Sequence, residues 1–385
     1  MGQGSSVITG MTNNNAYDTP TFRALAAAVR ANVPVILWGQ PGQAKTALIE
    51  ALGARNGYHV ETVVGSVREA SDFLGLPIDV AGEVNYAPPA WAKRLASAKA
   101  GLLFLDELSI CPPSVMRAML RILQEREVGE LALPDSVAVV AAANPPTMSN
   151  GADHLPGPVA NRLMHVDWHA PIDSWFQGIV QGFDAIVAPS LDSLLGTPRP
   201  GNRERVGAAV ATFLRNRRNL LDGGEPSDPV TAGRGWPSLR SWANAVSVLA
   251  QLPPDDEDAA LVVLKGCVGD GAATEYMAWL AATDLYDPAQ VLERPGMVDW
   301  KSRPDRIYAL LEAVTAIAVG NDARTWGKAV AVMVACAKAG KPDLALPSVA
   351  RLVHAKPKDM ELPQALRDAF EDLMYRAGLH ARQAA

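Results

Sequence analysis

One stretch near the N-terminus, residues 33–46 (VPVILWGQPGQAKT), constrains the fold of this 385-residue chain more than any other. Residues 33–38 form a short, apolar and β-branched run that ends at a glycine, which predicts a buried strand. Gly39 and Gly42 then permit a tight turn, because glycine adopts backbone angles that other residues avoid. Residues 44–54 are good helix formers. The stretch therefore predicts a strand, a glycine-bearing loop and a helix in direct succession.

This order of elements, with Lys-Thr at the start of the helix, is typical of a P-loop. In such a loop, backbone N–H groups and the helix N-terminus cradle phosphates. Lys45 is expected to reach the β- and γ-phosphates, and Thr46 to ligand Mg²⁺. Ala44 stands where the usual pattern has glycine. The alternative is a Gly/Pro turn before a helix that carries a surface lysine. The predicted phosphate-binding residues are Gly39, Gln40, Pro41, Gly42, Gln43, Ala44, Lys45, Thr46 and Ala47.

Composition argues against several classes of protein. No apolar run reaches the roughly 18 residues that a membrane span needs, and the N-terminus lacks the features of a signal peptide. A net charge of −6 and a pI near 5.6 give no general support for a DNA-binding face. The cysteines, Cys111, Cys267 and Cys336, are widely spaced, which suits buried thiols in the cytoplasm rather than a disulfide framework.

Strand and helix patterns alternate up to about residue 170 and give way to helical patterns alone after Pro171. An amphipathic helix is predicted to open at Pro20, with Thr19 as its N-cap. Further strands are predicted at 58–64, 101–107, 137–142 and 164–168, with a hairpin at 76–88 and a turn or hairpin at 127–134. Later helices are predicted at 172–187, 203–221, 237–251, 256–267, 271–282, 305–319, 323–339, 345–353 and 362–377. The pattern predicts an α/β core with a parallel sheet, followed by a helical region.

Polar residues end two of the predicted strands. Asp106 and Glu107 close the all-apolar strand 101–107, at the edge where open α/β sheets bind ligands. Hydrolysis of a phosphoanhydride needs one carboxylate to hold Mg²⁺ and a second to orient water, roles that suit Asp106 and Glu107 respectively. The amide of Asn144, at the end of the next strand, is suited to a γ-phosphate or the lytic water. The alternatives are an acidic loop start and a turn-forming Asn before Pro145.

Two arginines are further candidates for the site, and each has two possible roles. Arg162 lies between a short helix and the fifth strand, where it could serve the nucleotide of a neighbouring subunit or pair with a surface acid. Arg240 opens a later helix and could reach the γ-phosphate of its own chain or lie on the helix surface. The remaining basic cluster is interpreted as the solvated face of a helix; its members are Arg203, Arg205, Arg215, Arg217 and Arg218.

His165, Asp167 and His169 alternate along the predicted fifth strand. Such spacing places three potential metal ligands on one side of a strand. Ordinary strand patterning produces the same alternation, with Met164 and Val166 filling the opposite side, and is the favoured interpretation.

Four motifs, taken in order, resemble those of the AAA+ ATPases: GQPGQAKT at 39–46, LFLDEL at 103–108, AANPP at 142–146 and ANRL at 160–163. The chain looks most like the MoxR group and the dynein-related subfamily, in which alanine before Lys-Thr is common. The hairpins at 76–88 and 127–134 look like the pore-side insertions of that group. The likeness covers about residues 15–170, is thinner over 171–285 and is absent beyond about 320.

The resemblance implies roles for the candidate residues. Lys45 and Thr46 match Walker A, and Asp106 and Glu107 match Walker B. Asn144 matches sensor 1, Arg162 an arginine finger acting in trans, and Arg240 the sensor-2 position. The expected cofactors are ATP and Mg²⁺.

The resemblance also implies a five-stranded parallel core with an α-helical lid and C-terminal helices. The expected limits are a flexible tail at 1–18, an AAA+ core at 19–170, a lid at 171–285 and a helical extension at 286–385. The expected assembly is a ring, usually hexameric, that remodels or matures protein clients in the cytoplasm, beside a von Willebrand factor A-domain partner. Two alternatives stay open: a nucleotide-gated scaffold with little turnover, and a DNA-acting relative such as a loader or restriction-type translocase.

Overall fold

The structure is a computed structural model that describes residues 17–145, 154–182, 188–358 and 360–376. The chain divides into two compact units, and each of them is built from two separate segments. The first unit runs to Thr197 and resumes at Gly223–Asp270, and the second comprises Pro198–Asp222 and the chain from Gly271 onward. The domain limits expected from sequence stay a prediction. Within the described ranges, no helix combines the length and apolar character that crossing a membrane requires.

The first unit contains all the strands of the described residues. They are β1 (Val35–Trp38), β2 (His59–Val64), β3 (Leu76–Val80), β4 (Glu83–Ala87), β5 (Gly101–Asp106), β6 (Glu127–Val128), β7 (Leu131–Ala132), β8 (Val137–Ala143) and β9 (Met164–Asp167). Five of them form one parallel sheet in the order β2-β5-β8-β1-β9. Every residue of β1 and β8 is buried, as expected for central strands of a sheet that is covered on both faces.

Helices connect and cover these strands. They are α1 (Pro20–Arg30), α2 (Lys45–Asn56), α3 (Ser71–Leu74), α4 (Ala90–Ser97), α5 (Pro113–Glu125) and α6 (Gly157–Ala160). Thr19 caps α1 by accepting a hydrogen bond from the backbone N–H of Phe22, and Pro20 occupies the first turn, as predicted. The core between sheet and helices is apolar and includes Leu103, Leu105 and Met119. The predicted five-stranded parallel α/β fold is confirmed.

Two hairpins project from this core where the sequence predicts them. Strands β3 and β4 pair antiparallel around Ala81-Gly82, and β6 pairs with β7 around Gly129. In the first hairpin β3 is exposed along its length and β4 over most of it, and several apolar side chains face solvent. These are Leu76, Ile78, Val80, Val84 and Tyr86.

After β9 the described chain is helical. The first unit continues with α7 (Ile172–Gln181) and α8 (Leu191–Leu195), and resumes after its interruption with α10 (Pro229–Ala232), α11 (Leu239–Leu249) and the first part of α12 (Glu257–Thr283). Gly269 interrupts α12 with φ of +80°, so two helical segments meet there, close to the predicted gap between 267 and 271. Part of the predicted helix 172–187 lies outside the described residues.

The second unit is a helical bundle. Its helices are α9 (Asn202–Asn216), the last part of α12, α13 (Pro288–Glu293), α14 (Pro304–Ala318), α15 (Ala323–Lys338), α16 (Pro342–His354) and α17 (Gln364–Arg376). Trp326 is fully buried at its centre, and its indole N–H donates to the carbonyl of Leu352. Helix α9 packs along α14, although the two are far apart in sequence. The sequence missed α8, α10 and α13, which have only four to six residues each.

Candidate nucleotide-binding site

The strand order brings the predicted site residues together. Because β8 lies between β1 and β5, the carboxyl ends of these three parallel strands meet at one edge of the sheet. The loop after β1 carries Lys45, β5 ends at Asp106, and Asn144 follows β8 directly. Side chains that are distant in sequence thus converge on one place.

Lys45 lies at the centre of this convergence. Its ammonium group donates to the carbonyl oxygens of Gly39 at 2.7 Å and Gln40 at 3.0 Å, and lies 3.4 Å from Oδ1 of Asn144. Burial lowers the pKa of Lys45, and the nearby carboxylate of Asp106 partly offsets that effect. The lysine is therefore held by the loop in which it lies, and is not a free surface cation.

Thr46 and Asp106 form the second contact of the site. The Thr46 hydroxyl donates to Oδ2 of Asp106 at 2.9 Å, across 60 residues of sequence. The other oxygen of that carboxylate accepts the backbone N–H of Glu107 at 2.8 Å. A hydroxyl and a carboxylate in contact are hard oxygen ligands of the kind that Mg²⁺ prefers.

Glu107 has an unusual backbone. Its φ of +59° and ψ of +35° lie in the left-handed region, which a residue with a side chain adopts at a cost of order 1 kcal/mol or more. Its carboxylate oxygen Oε2 accepts a hydrogen bond from the hydroxyl of Ser66. Ser66 follows β2, the strand that pairs with β5, so the sheet places this hydroxyl beside Glu107. The sequence analysis missed Ser66.

The loop itself is shaped by close approaches. A Cβ at Gly39 would come within 2.9 Å of the backbone oxygen of Trp168, so a larger residue would displace one of the two segments. The indole N–H of Trp168 donates to the carbonyl of Gln43 at 3.1 Å. Ala44 adopts φ of +52° and ψ of +28°, the conformation for which the usual pattern has glycine. Among the described residues the Gln43 side-chain oxygen is buried without a hydrogen-bond partner.

The two arginine candidates lie near each other. Burial lowers the pKa of Arg162, and the charge of Arg240 lowers it further. Arg162 donates to the carbonyl of Pro158, and the Gln124 amide accepts from its guanidinium when its oxygen faces Arg162. Arg240 is exposed on α11. Among the contacts of the described residues, none joins either arginine to Lys45.

Asn161, which precedes Arg162, links the two arginine-bearing segments. Its Oδ1 accepts the hydroxyl of Ser238 at 2.8 Å, and its amide N–H donates to the carbonyl of Trp236 at 3.3 Å. Ser238 is the N-cap of α11 and forms a capping box with Ser241. A buried amide therefore ties the start of α11 to the segment that carries Arg162. The sequence contained no local signal for this link, since 77 residues separate its partners.

The alternating polar residues of β9 do not converge. His165 is buried, its Nδ1 accepts the indole N–H of Trp38 at 3.0 Å, and its Nε2 donates to the carbonyl of Ala160 at 2.9 Å. Burial lowers the pKa of His165 to about 4. Asp167 instead pairs with Arg234 at 2.9 Å. No cluster of three or more His, Cys, Asp or Glu side chains able to hold a metal occurs in the part of the chain that the structure describes.

The basic cluster in and just after α9 is solvated in part: Arg203, Arg215 and Arg218 are exposed, as that interpretation expects, and Arg205 and Arg217 are the exceptions. Arg205 is half-buried and donates to Oδ1 of Asn202 at 3.0 and 3.1 Å. Arg217 pairs with Glu275 at 2.5 Å. Both contacts are made within the second unit, so Arg205 and Arg217 bind neighbouring side chains in addition to facing solvent.

Comparisons with known proteins agree with the site. Residues 34–162 match the profile of the AAA domain (dynein-related subfamily). Midasin of Giardia intestinalis is 27% identical over 150 residues, which cover 37% of this chain and 3% of midasin. The sigma54-dependent transcriptional activator SfnR of Pseudomonas putida is 31% identical over 140 residues, which cover 33% of this chain and 38% of the activator. The chain thus spans well under two thirds of the length of either relative.

Solved structures give weaker similarity. A Cytophaga hutchinsonii protein provisionally classed as an ATPase has a TM-score of 0.41 and 17% identity, over 64% of this chain and 79% of that protein. A full-length MCM homolog from Methanopyrus kandleri has a TM-score of 0.35 and 22% identity, over 66% of this chain and 58% of the homolog. The matched sequence segment contains the loop, both acids, Asn144 and Arg162. Over residues 34–162 the chain is thus similar to the AAA domain of the dynein-related subfamily.

Proposed function

We propose that this chain hydrolyses ATP in a magnesium-dependent reaction, at the site formed by the loop after β1 and the ends of β5 and β8. One observation carries the proposal: three strand ends bring Lys45 within 3.4 Å of Asn144, and Thr46 within 2.9 Å of Asp106. A phosphate-binding lysine, a metal-binding pair and a polar amide are the groups that phosphoanhydride hydrolysis requires.

The residues present fit ATP and Mg²⁺. Thr46 and Asp106 offer two oxygen ligands, and magnesium in such sites takes its remaining ligands from water and phosphate. The start of α2 presents backbone N–H groups, which favour anions. Lys45 would gain from an anion beside it, because its burial disfavours the charged form in the absence of one. When bound, Mg²⁺ supplies charge neutralisation at the phosphates.

Glu107 is the residue that we assign to orienting and deprotonating the attacking water. The left-handed backbone of Glu107 follows directly on the end of β5, and the Ser66 hydroxyl holds one carboxylate oxygen. Asn144 is suited to hold the γ-phosphate or the same water by its amide group. Ser66 acts as a positioning residue, since it contacts Glu107.

We assign Arg162 and Arg240 to the nucleotide of a neighbouring copy. Arg240 is close enough to lower the pKa of Arg162, and Asn161 links the start of α11 to the segment that carries Arg162, so we assign the two arginines to the same role. Sequence analysis left two roles open for Arg240, reaching the γ-phosphate of its own chain or lying on the helix surface, and its proximity to Arg162 instead favours action in trans. Arginine presents a planar fork that matches phosphate charge, so a pair of arginines would stabilise charge that develops during hydrolysis.

The finer proposal is a MoxR-type machine that assembles as a ring, usually hexameric, and remodels protein clients. The apolar residues exposed on the β3–β4 hairpin support contact with protein, because exposed aliphatic and aromatic side chains mark interaction surfaces. A von Willebrand factor A-domain partner rests on the sequence resemblance alone. A cytoplasmic location is supported by the cysteines, which are all free thiols.

A steady-state ATPase assay tests the proposal. We expect Glu107→Gln to bind ATP normally and to lose about 10²- to 10⁴-fold in turnover, the usual contribution of a general base. Glu50→Gln, which removes the same charge from an exposed site on α2, is the matched control. Unchanged phosphate release by Glu107→Gln would refute the assignment. Turnover that is negligible in the unaltered chain would favour a nucleotide-gated scaffold.

Two further variants test binding and the trans arrangement. Lys45→Ala should weaken ATP binding by at least about tenfold, since hydrogen bonds to charged groups contribute about 1.5–3 kcal/mol each. Arg162→Ala should bind ATP but not hydrolyse it. Mixing Arg162→Ala with Glu107→Gln subunits should restore part of the activity. Failure of the mixture to exceed either variant alone would contradict action in trans.

A further inference from the structure

Helix α7 carries an apolar stripe on its solvent-facing side. Its members recur at the spacing i, i+3, i+4, i+7 and i+8, which places them on one face of a helix. Their exposed fractions are 68% for Ile172, 51% for Trp175, 58% for Phe176, 58% for Ile179 and 81% for Val180. The polar Gln181 lies on the opposite side of the helix, and Gly178 is buried among the α7 residues whose side-chain environment the structure describes. The helix thus exposes its apolar face.

This apolar face is large for a monomer. Five side chains at these exposures leave on the order of 600 Å² uncovered, which is at the upper end of the largest apolar patches on monomeric proteins. Trp175 and Phe176 also contact each other edge to face, with ring centroids 5.4 Å apart, and so present a preformed aromatic pair. Since a stable interface buries about 800 Å² per partner, this face alone would supply most of the apolar centre of one.

The position of α7 in the first unit favours one occupant. The helix begins four residues after Trp168, whose indole donates to the carbonyl of Gln43 in the P-loop. Four extended residues span about 14 Å at most, so the stripe starts close to the nucleotide site. In the proposed function, arginines of a neighbouring copy reach that site, and the copy that delivers them must approach the surface beside it.

We propose that the apolar face of α7, made of Ile172, Trp175, Phe176, Ile179 and Val180, docks on a second copy of this chain beside the nucleotide site. The inference rests on the proposed function for its choice of occupant. Aromatic side chains at the centre of an interface dominate its affinity, so Trp175 and Phe176 are the anchors of the contact. Assembly through α7 brings the arginines of one copy toward the phosphates held by the other.

The test measures the oligomeric state of the chain and not its ATP turnover. Full-length chain, Trp175→Glu and Gln181→Glu are compared by sedimentation velocity over a range of concentrations with ATP and magnesium chloride. Both substitutions add one negative charge to α7, on opposite faces. We expect Gln181→Glu to assemble like the unaltered chain and Trp175→Glu to need at least about 30-fold higher concentration, as loss of a hot-spot aromatic implies. Both side chains are exposed, so thermal unfolding should hardly differ between the variants.

Two outcomes would overturn the proposal. One is assembly of Trp175→Glu at the same concentration as Gln181→Glu, and the other is an unaltered chain that stays monomeric throughout. If the first outcome came with weaker ATP binding, the face would cover the nucleotide and not a second copy. The proposed function fails separately: a chain that assembles through α7 without hydrolysing ATP would contradict the ATPase assignment and leave this contact intact.

Discussion

The left-handed conformation of Ala44 allows a sharp test of how the P-loop is built. Its φ of +52° costs alanine about 1–2 kcal/mol relative to a right-handed conformation, whereas glycine adopts it freely. Glycine also gains more conformational entropy on unfolding, which cancels about 0.5–1 kcal/mol of the stabilisation gained by relieving this strain. Because Ala44 is exposed, the substitution loses no buried contact. Ala44→Gly should therefore stabilise the first unit by about 0.5–1 kcal/mol.

The matched control is the same substitution at Ala54, which is exposed and lies within α2. In a helical conformation, glycine costs about 0.5–1 kcal/mol relative to alanine. The two variants should therefore change stability in opposite directions, with melting temperatures about 2–6 °C apart. Differential scanning calorimetry measures the difference, read on the transition that ATP and magnesium raise. If both variants shift that transition in the same direction, the strain argument is wrong.

Three other predictions use contacts of the first unit and of α12. Ser66→Ala should lower ATP turnover by up to about tenfold, because it removes the hydrogen bond that positions the Glu107 carboxylate. Phosphate release measures this, and unchanged or faster turnover would contradict it. Burial holds the pKa of His165 near 4, so between about pH 6.5 and 4 the unfolded state binds a proton that the folded state does not. The free energy of unfolding should therefore fall as the pH falls through that range. In urea titrations at several pH values, the free energy of unfolding of His165→Gln should depend less on pH than that of the unaltered chain. Gly266→Ala should lower the free energy of unfolding by more than about 2 kcal/mol, measured by urea titration, because the added Cβ would lie 2.2 Å from the backbone oxygen of His165. The control is Gly271→Ala, whose added Cβ would have no atom within 4 Å, so its effect should be neutral or stabilising.

Local sequence chemistry predicted the α/β core and the candidate site well. A β-branched run before Gly39, and an apolar run that ends in Asp106-Glu107, each have few structural interpretations. The hairpins were equally predictable, since Gly82 and Gly129 supply the positive φ angles of their turns. The structure confirms these elements to within a few residues. The catalytic roles of the residues stay predictions.

Contacts between segments that are distant in sequence were not predictable from the sequence. Ser66 contacts Glu107 because β2 pairs with β5, and a hydroxyl after a glycine carries no sign of that pairing. Arg240 lies beside Arg162 because Asn161 binds Ser238 across 77 residues. Helices α8, α10 and α13 were missed since four to six residues do not establish a helical period. Where a contact joins distant segments, only the folded chain identifies the partners.

The interrupted path of the chain has a consequence for synthesis. Helix α9 finds its packing partner α14 about 100 residues later, so at a usual rate of 5–20 residues per second it leaves the ribosome many seconds ahead of that partner. Buried side chains such as Val210 and Phe213 are uncovered during that interval. Slow decoding between residues 223 and 303 would lengthen the exposure, and chaperones that bind nascent chains should engage α9 in preference to the sheet.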